Sequence, residues 1–146
     1  MKLLVAVDLS KSTETIVDRV EEMTRGYPAK IWIMHNALPE PDHVEFKVDP
    51  LAAREDLAKK FHKEHCQIQE VADRLRKSGL DATALLVHGA TVEAILKEAA
   101  DLDVDMIVVG SHGRGAMYRL LLGSVSEEII HKSRYPVLVI PTHKRT

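Results

Sequence analysis

Five short apolar runs, separated by stretches of helical periodicity, leave this chain few folds to choose from. Leu3-Leu4-Val5-Ala6-Val7 runs without a polar interruption and stops at Asp8. Such a run marks a strand buried on both faces. Ile31-Trp32-Ile33-Met34 and Val137-Leu138-Val139-Ile140 repeat the pattern, as do Ala82 to Val87 apart from Thr83 and Val104 to Val109 apart from Asp105. Between them, apolar residues recur at helical spacing: Ile16, Val17, Val20 and Met23; then Leu57, Phe61, His65, Ile68, Val71, Ala72 and Leu75; then Val92, Ile95, Leu96 and Ala99; and finally Val125, Ile129 and Ile130. Ser10 and Ser12 offer N-caps for the first helix, Gly26-Tyr27-Pro28 stops it, and Ser78-Gly79 stops the long one. The order βαβαβαβαβ predicts a mostly parallel sheet with right-handed crossovers and helices on both faces.

The remaining segments are loops, or too short to matter to the fold. Residues 37–50 carry Pro39, Pro41 and Pro50 among acids and read as a long loop. Residues 110–123 form a second loop, rich in glycine. A chain of 146 residues fits one domain, 1–146, and buries enough surface to need no staple. A single cysteine, Cys66, excludes an internal disulfide and agrees with a reducing compartment. The amino-terminal apolar run is too short for a signal peptide, and no run approaches the ~20 residues of a membrane span. The expected location is the cytoplasm. A net charge of −2 and 4% aromatics argue against nucleic acid as a partner.

Ligands of open α/β sheets bind beyond the carboxyl ends of the strands, where strand order reverses. The segments to inspect are therefore Asp8-Leu9-Ser10, Asn36-Ala37, His88-Gly89-Ala90 and, above all, Gly110-Ser111-His112-Gly113-Arg114-Gly115 with Gly123-Ser124-Val125-Ser126. Glycines let backbone amides turn toward a ligand, and a helix start adds unpaired N–H groups and a positive dipole end. Ser124-Val125-Ser126-Glu127 reads as a capping box. A phosphate chain fits between the glycine loop and that helix start, with Arg114 and His112 as nearby donors. Neither a Walker loop nor a dinucleotide fingerprint occurs. His62, His65 and Cys66 cluster on the long helix, where His62 and Cys66, one turn apart, could share a metal, but no third or fourth ligand accompanies that pair; His65 falls on the apolar stripe and Cys66 reads as core. His35 reads as a hydrogen-bonded structural histidine. Arg119-Leu120-Leu121-Leu122 reads as a lid or a contact for an unidentified protein partner.

The run from Val108 to Gly115, continued through Leu121-Leu122-Gly123-Ser124-Val125-Ser126, resembles the universal stress protein family. Its ATP-binding branch carries G-x2-G-x9-G-[ST], and Gly110, Gly113, Gly123 and Ser124 meet every element of that pattern. Val5 to Ser10 and Tyr135 to Pro141 are similar to the family's first and last strands, so the resemblance spans the chain. It implies a Rossmann-like, adenine nucleotide α-hydrolase-like sheet of five parallel strands in the order 3-2-1-4-5. It also implies a homodimer through the final strand, Val137 to Ile140. By the same resemblance Ala6, Val7 and Asp8 line the adenine and ribose end and Asn36 offers backbone groups to adenine. Gly110, Gly113, Gly123, Ser124 and Val125 hold ribose and phosphates. Leu9 stands where the family often has glycine. The implied ligand is ATP, or ADP or AMP, with Mg²⁺ near Asp8. Three functions follow: a regulatory stress-response module, a slow ATPase using the same pocket, and a dimerisation protein that binds no nucleotide.

Overall fold

A computed structural model describes residues 1–37, 50–112 and 122–142. Its elements are β1 (Lys2–Val7), α1 (Ser12–Thr24), β2 (Lys30–Asn36), α2 (Pro50–Lys77), β3 (Asp81–Val87), α3 (Thr91–Asp101), β4 (Met106–Gly110), α4 (Ser124–Lys132) and β5 (Val137–Ile140). All strand pairs are parallel, as the alternation of runs predicts, and the order is β3-β2-β1-β4-β5, as the family resemblance implies.

The unbroken apolar runs are explained by a sheet covered on both sides. Leu3, Val5 and Val7 of β1 face α1 and α2, where they meet Ile16, Val17, Val20, Ile68, Ala72 and Leu75. Leu4 points the other way, with Trp32, Met34, Ile107 and Val109, into Val92, Ile95 and Ala99 of α3 and Ile129 of α4. Alternating side chains thus enter two separate cores, and neither face can tolerate a polar residue without a partner. Helix α1 is also pinned to α2 by Arg74, whose guanidinium donates to the Asp18 carboxylate; that bond raises the Arg74 pKa above the ordinary arginine value. Beyond α2, Gly79 turns the chain with φ +88, a left-handed conformation that a side chain would resist.

Several local expectations are corrected. Strand β4 begins at Met106, not Val104. Asp105 precedes it and clips the sheet corner: its carboxylate accepts from Lys2 N–H (2.7 Å) and its own N–H donates to Lys2 C=O (2.8 Å). Ser12 and Ser124 are the first residues inside their helices, where Lys11 and Gly123 are the caps; neither cap makes a side-chain hydrogen bond, so the capping box of Ser124 and Glu127 is not formed. Ser10 still serves α1, since its Oγ accepts from Ser12 N–H at 3.2 Å.

On α2 the residue turned inward is Glu64, while His65, Cys66 and the half-exposed Leu57 face outward. Positions 64 and 65 both fit helical spacing from Phe61 and Ile68, and β2 supplies a partner only for 64: Glu64 Oε2 lies 3.5 Å from His35 Nε2. On α4 the buried pair is Ser126 and Ile129, while Val125 and Ile130 are 37% and 46% exposed.

Candidate functional site

Strand order reverses between β1 and β4, so the carboxyl ends of these two strands frame the crevice. From β1 come Asp8, Leu9 and Ser10. The Asp8 Oδ1 accepts from both Ser10 N–H (2.9 Å) and Ser10 Oγ (2.5 Å), which folds the chain back toward α1. Between them Leu9 sits at φ 59, in the left-handed region. Any residue but glycine is strained there by roughly 1–2 kcal/mol. Leu9 offsets that cost by packing against the core beneath α1 and α2.

The β4 end is closed from two directions. Ser111 C=O accepts from Gly123 N–H at 2.7 Å, and Gly110 C=O accepts from the buried Ser126 Oγ at 2.6 Å. These two bonds set the start of α4 against the end of β4. Gly123 N–H is taken, and the first-turn amides of Ser124, Val125 and Ser126 have no intrahelical acceptor. Gly110 does not serve through an unusual backbone angle, since its φ is not positive. Its role is steric: a Cβ there would stand 2.9 Å from Thr142 Cγ2 and 3.0 Å from Ile16 Cδ1.

From β2, Asn36 turns its side chain sideways. Its Nδ2 donates to Gly89 C=O (2.7 Å) and Thr91 Oγ1 (2.9 Å), tying β2 to the start of α3. Both acceptors fix the amide orientation and leave Oδ1 buried. Ala6 and Val7 direct their side chains into the two cores, so they offer the crevice backbone alone. The Val7 carbonyl accepts from His35 Nδ1 (3.1 Å), which makes His35 the structural histidine the sequence suggested. His88 lies at the same edge, with Nδ1 3.1 Å from Ala37 O and its ring edge-to-face with Phe61 at 4.7 Å.

Gly110 and Gly123 are thus held near each other beyond β4, Ser124 and Val125 open α4, and Asp8 follows the neighbouring strand β1. Gly113 and Arg114 lie outside the described residues, as do Gly115, most of the 37–50 loop, Arg119-Leu120-Leu121 and the tail after Thr142. His62 Nε2 lies 3.7 Å from Cys66 Sγ, and among the described residues no group of three or more His, Cys, Asp or Glu could hold a metal. No described helix is long and apolar enough to cross a membrane. The sequence segments include Ser111 and Ser126 without their roles in tying β4 to α4, and sequence reasoning missed Thr142 and Glu64. The one signal for Thr142 was its position just past Pro141, where a strand has ended and a hydroxyl is free to turn inward.

Comparison with known proteins is consistent along the whole chain. The family model described as "Universal stress protein family" matches residues 1–141. Universal stress protein MJ0577 of Methanocaldococcus jannaschii is 39% identical over 74 residues, which span 51% of this chain and 46% of that relative. The universal stress protein in the QAH/OAS sulfhydrylase 3′ region of Thermus aquaticus is 29% identical over 140 residues, 94% of this chain and 96% of the relative. A solved structure of MJ0577 superposes with a TM-score of 0.79 at 28% identity, covering 99% and 97% of the two chains. A universal stress protein solved in complex with cAMP superposes at 0.71 with 25% identity, covering 98% of each.

Proposed function

The chain belongs to the universal stress protein family, and from that premise we propose that it is an adenine-nucleotide-binding regulatory module of the stress response. It works in the cytoplasm as one domain, 1–146, and pairs with a second copy through the unpaired edge of β5. ATP, ADP or AMP lies across the β1–β4 crevice. Adenine and ribose rest against the backbone of Ala6, Val7 and Asn36 and the Asp8 carboxylate. The phosphates rest against Gly110, Gly123, Ser124 and Val125, with Gly113 and Arg114 supplied by the loop between.

The observation that carries this reading is the pair of bonds from Gly123 N–H to Ser111 C=O and from Ser126 Oγ to Gly110 C=O. They bring the two ends of the G-x2-G-x9-G-[ST] motif together and turn a helix start toward the crevice, where its amides and dipole suit an anion. A relative of the same fold solved with cAMP supports an adenine nucleotide over other anions. The donor set fits phosphate. It also fits a Mg²⁺ ion held chiefly by phosphates and water, because Asp8 is one carboxylate already accepting two bonds from Ser10. Bound Mg²⁺ would neutralise phosphate charge. The protein's own residues orient the nucleotide, and any signal requires different affinities in two conformations.

The test is to purify the protein without added nucleotide, denature it, identify any released ligand by mass spectrometry, and titrate ATP by calorimetry. Released adenine nucleotide, or ATP binding that Gly123→Val abolishes, is the expected result. An empty protein with no measurable affinity would overturn the reading and leave dimerisation alone. Tight binding with sustained turnover would replace the regulatory module by an ATPase. A monomer by light scattering at micromolar concentration would remove the dimer.

A further inference from the structure

Thr142, just past β5, is tied to the residues that leave β4. Its N–H donates to Ser111 Oγ at 3.0 Å. Its Oγ1 donates to His112 C=O at 3.2 Å and accepts from His112 N–H at 3.2 Å. The same Oγ1 lies 3.3 Å from Ser111 Oγ, which in turn lies 3.0 Å from His112 Nδ1. A carbonyl only accepts, so the threonine proton goes to His112 C=O. Ser111 Oγ receives Thr142 N–H and directs its own proton to His112 Nδ1 or Thr142 Oγ1. The ring closes only while the Thr142 hydroxyl is present.

Ser111 is the hub of this arrangement. Its carbonyl holds Gly123 at the start of α4 (2.7 Å), its N–H donates to Ile140 C=O (2.8 Å), and its side chain holds Thr142. The end of β5 and the start of α4 are therefore fixed relative to each other through one residue of the crevice. Ser111 is buried while His112 and Thr142 are part-exposed, so losing the Thr142 hydroxyl removes bonds that lie only partly in contact with water.

We propose that Thr142 is a positioning residue for the phosphate end of the nucleotide site: it sets Ser111 and His112 against the first turn of α4 and thereby makes phosphate recognition depend on the last strand. This inference rests on the nucleotide reading above. The base end is assigned to β1 and β2, whereas the hydrogen bonds of Thr142 run to Ser111 and His112 beyond β4, so the effect of its hydroxyl falls on phosphate and spares adenosine.

Thr142→Val keeps the branched shape and removes the hydroxyl, whereas Thr142→Ser keeps the hydroxyl and removes the methyl. ATP and adenosine are titrated against wild type and both variants, and hydrogen exchange of the His112 amide is followed without ligand. The expected result is a roughly tenfold loss of ATP affinity in Thr142→Val. Adenosine affinity stays within about twofold, and Thr142→Ser stays near wild type for both ligands. The His112 amide exchanges faster in Thr142→Val and not in Thr142→Ser. If wild type binds ATP and Thr142→Val binds it equally, the inference fails and the nucleotide reading stands. Equal losses for ATP and adenosine, or equal losses in the two variants, reduce Thr142 to a structural role and also overturn it. A wild type that binds neither ligand overturns both, and the exchange data then report only whether Thr142 holds the His112 segment.

Discussion

Replacing Gly110 with alanine separates two explanations of why a glycine ends β4. If Gly110 is there only to let phosphate approach, alanine costs nothing in the ligand-free protein. Its φ is not positive, so alanine meets no backbone penalty and should gain about 0.4–1 kcal/mol by restricting the unfolded chain. The packing says otherwise. A Cβ would stand 2.9 Å from Thr142 Cγ2 and 3.0 Å from Ile16 Cδ1, well inside the ~3.5–4.0 Å preferred between carbons. Ile16 is 3% exposed and has no open space to enter. Thr142 is β-branched, so its methyl moves only if Oγ1 leaves its bonds to His112. Overpacking of this kind costs about 1–3 kcal/mol. Set against the gain, the net destabilisation is about 0–2.6 kcal/mol, and its midpoint of about 1.3 kcal/mol corresponds to a fall in melting temperature of roughly 3–5 °C for a chain of this size. The assay is thermal and denaturant unfolding of Gly110→Ala, Thr142→Ser and the double variant, all without nucleotide. Serine lacks the Cγ2 methyl, so the double variant should recover about 1 kcal/mol relative to the sum of the singles. A Gly110→Ala protein stabilised by the whole of the alanine gain, about 0.4–1 kcal/mol, or single-variant costs that simply add, would refute the steric account.

Three further outcomes follow from the same structure. Leu9 sits at φ 59, so Leu9→Val should destabilise more than Leu9→Gly, although valine keeps more apolar surface; the reverse ranking in urea unfolding would mean that packing outweighs the left-handed backbone. His35→Leu leaves the buried Glu64 facing an apolar side chain across the gap where His35 Nε2 now stands at 3.5 Å. That single variant should cost about 3 kcal/mol or more, while His35→Leu with Glu64→Leu should cost much less; equal costs would show that the two residues do not depend on each other. Cys66 is exposed, so a thiol reagent such as Ellman's should label it stoichiometrically in the native protein, and Cys66→Ser should change stability by no more than about 0.5 kcal/mol. Labelling that requires denaturant would contradict the outward orientation of that face of α2.

What the sequence by itself determined is whatever local repetition encodes. Apolar runs marked each strand, because both faces of a covered parallel sheet exclude unpaired polar groups, and helical spacing marked the elements between. The spaced glycines were legible as a motif for the same reason, since spacing along the chain survives without a structure. Periodicity gives a helix a face but not its tolerance for a polar residue. His65 and Glu64 fit the α2 stripe equally well, and only His35, brought beside it by the pairing of β2 with β1, decides that Glu64 goes inside. Ser126 takes an inward position on α4 because Gly110 C=O waits there as an acceptor. Leu9 takes the conformation of a glycine because the Asp8–Ser10 turn demands it and the core rewards the leucine side chain. Thr142 reaches Ser111 and His112 from some thirty residues away because β5 lies beside β4 in register, Gly110 against Ile140. Each of these depends on a partner remote in sequence, and only the folded sheet brings such partners within hydrogen-bonding distance.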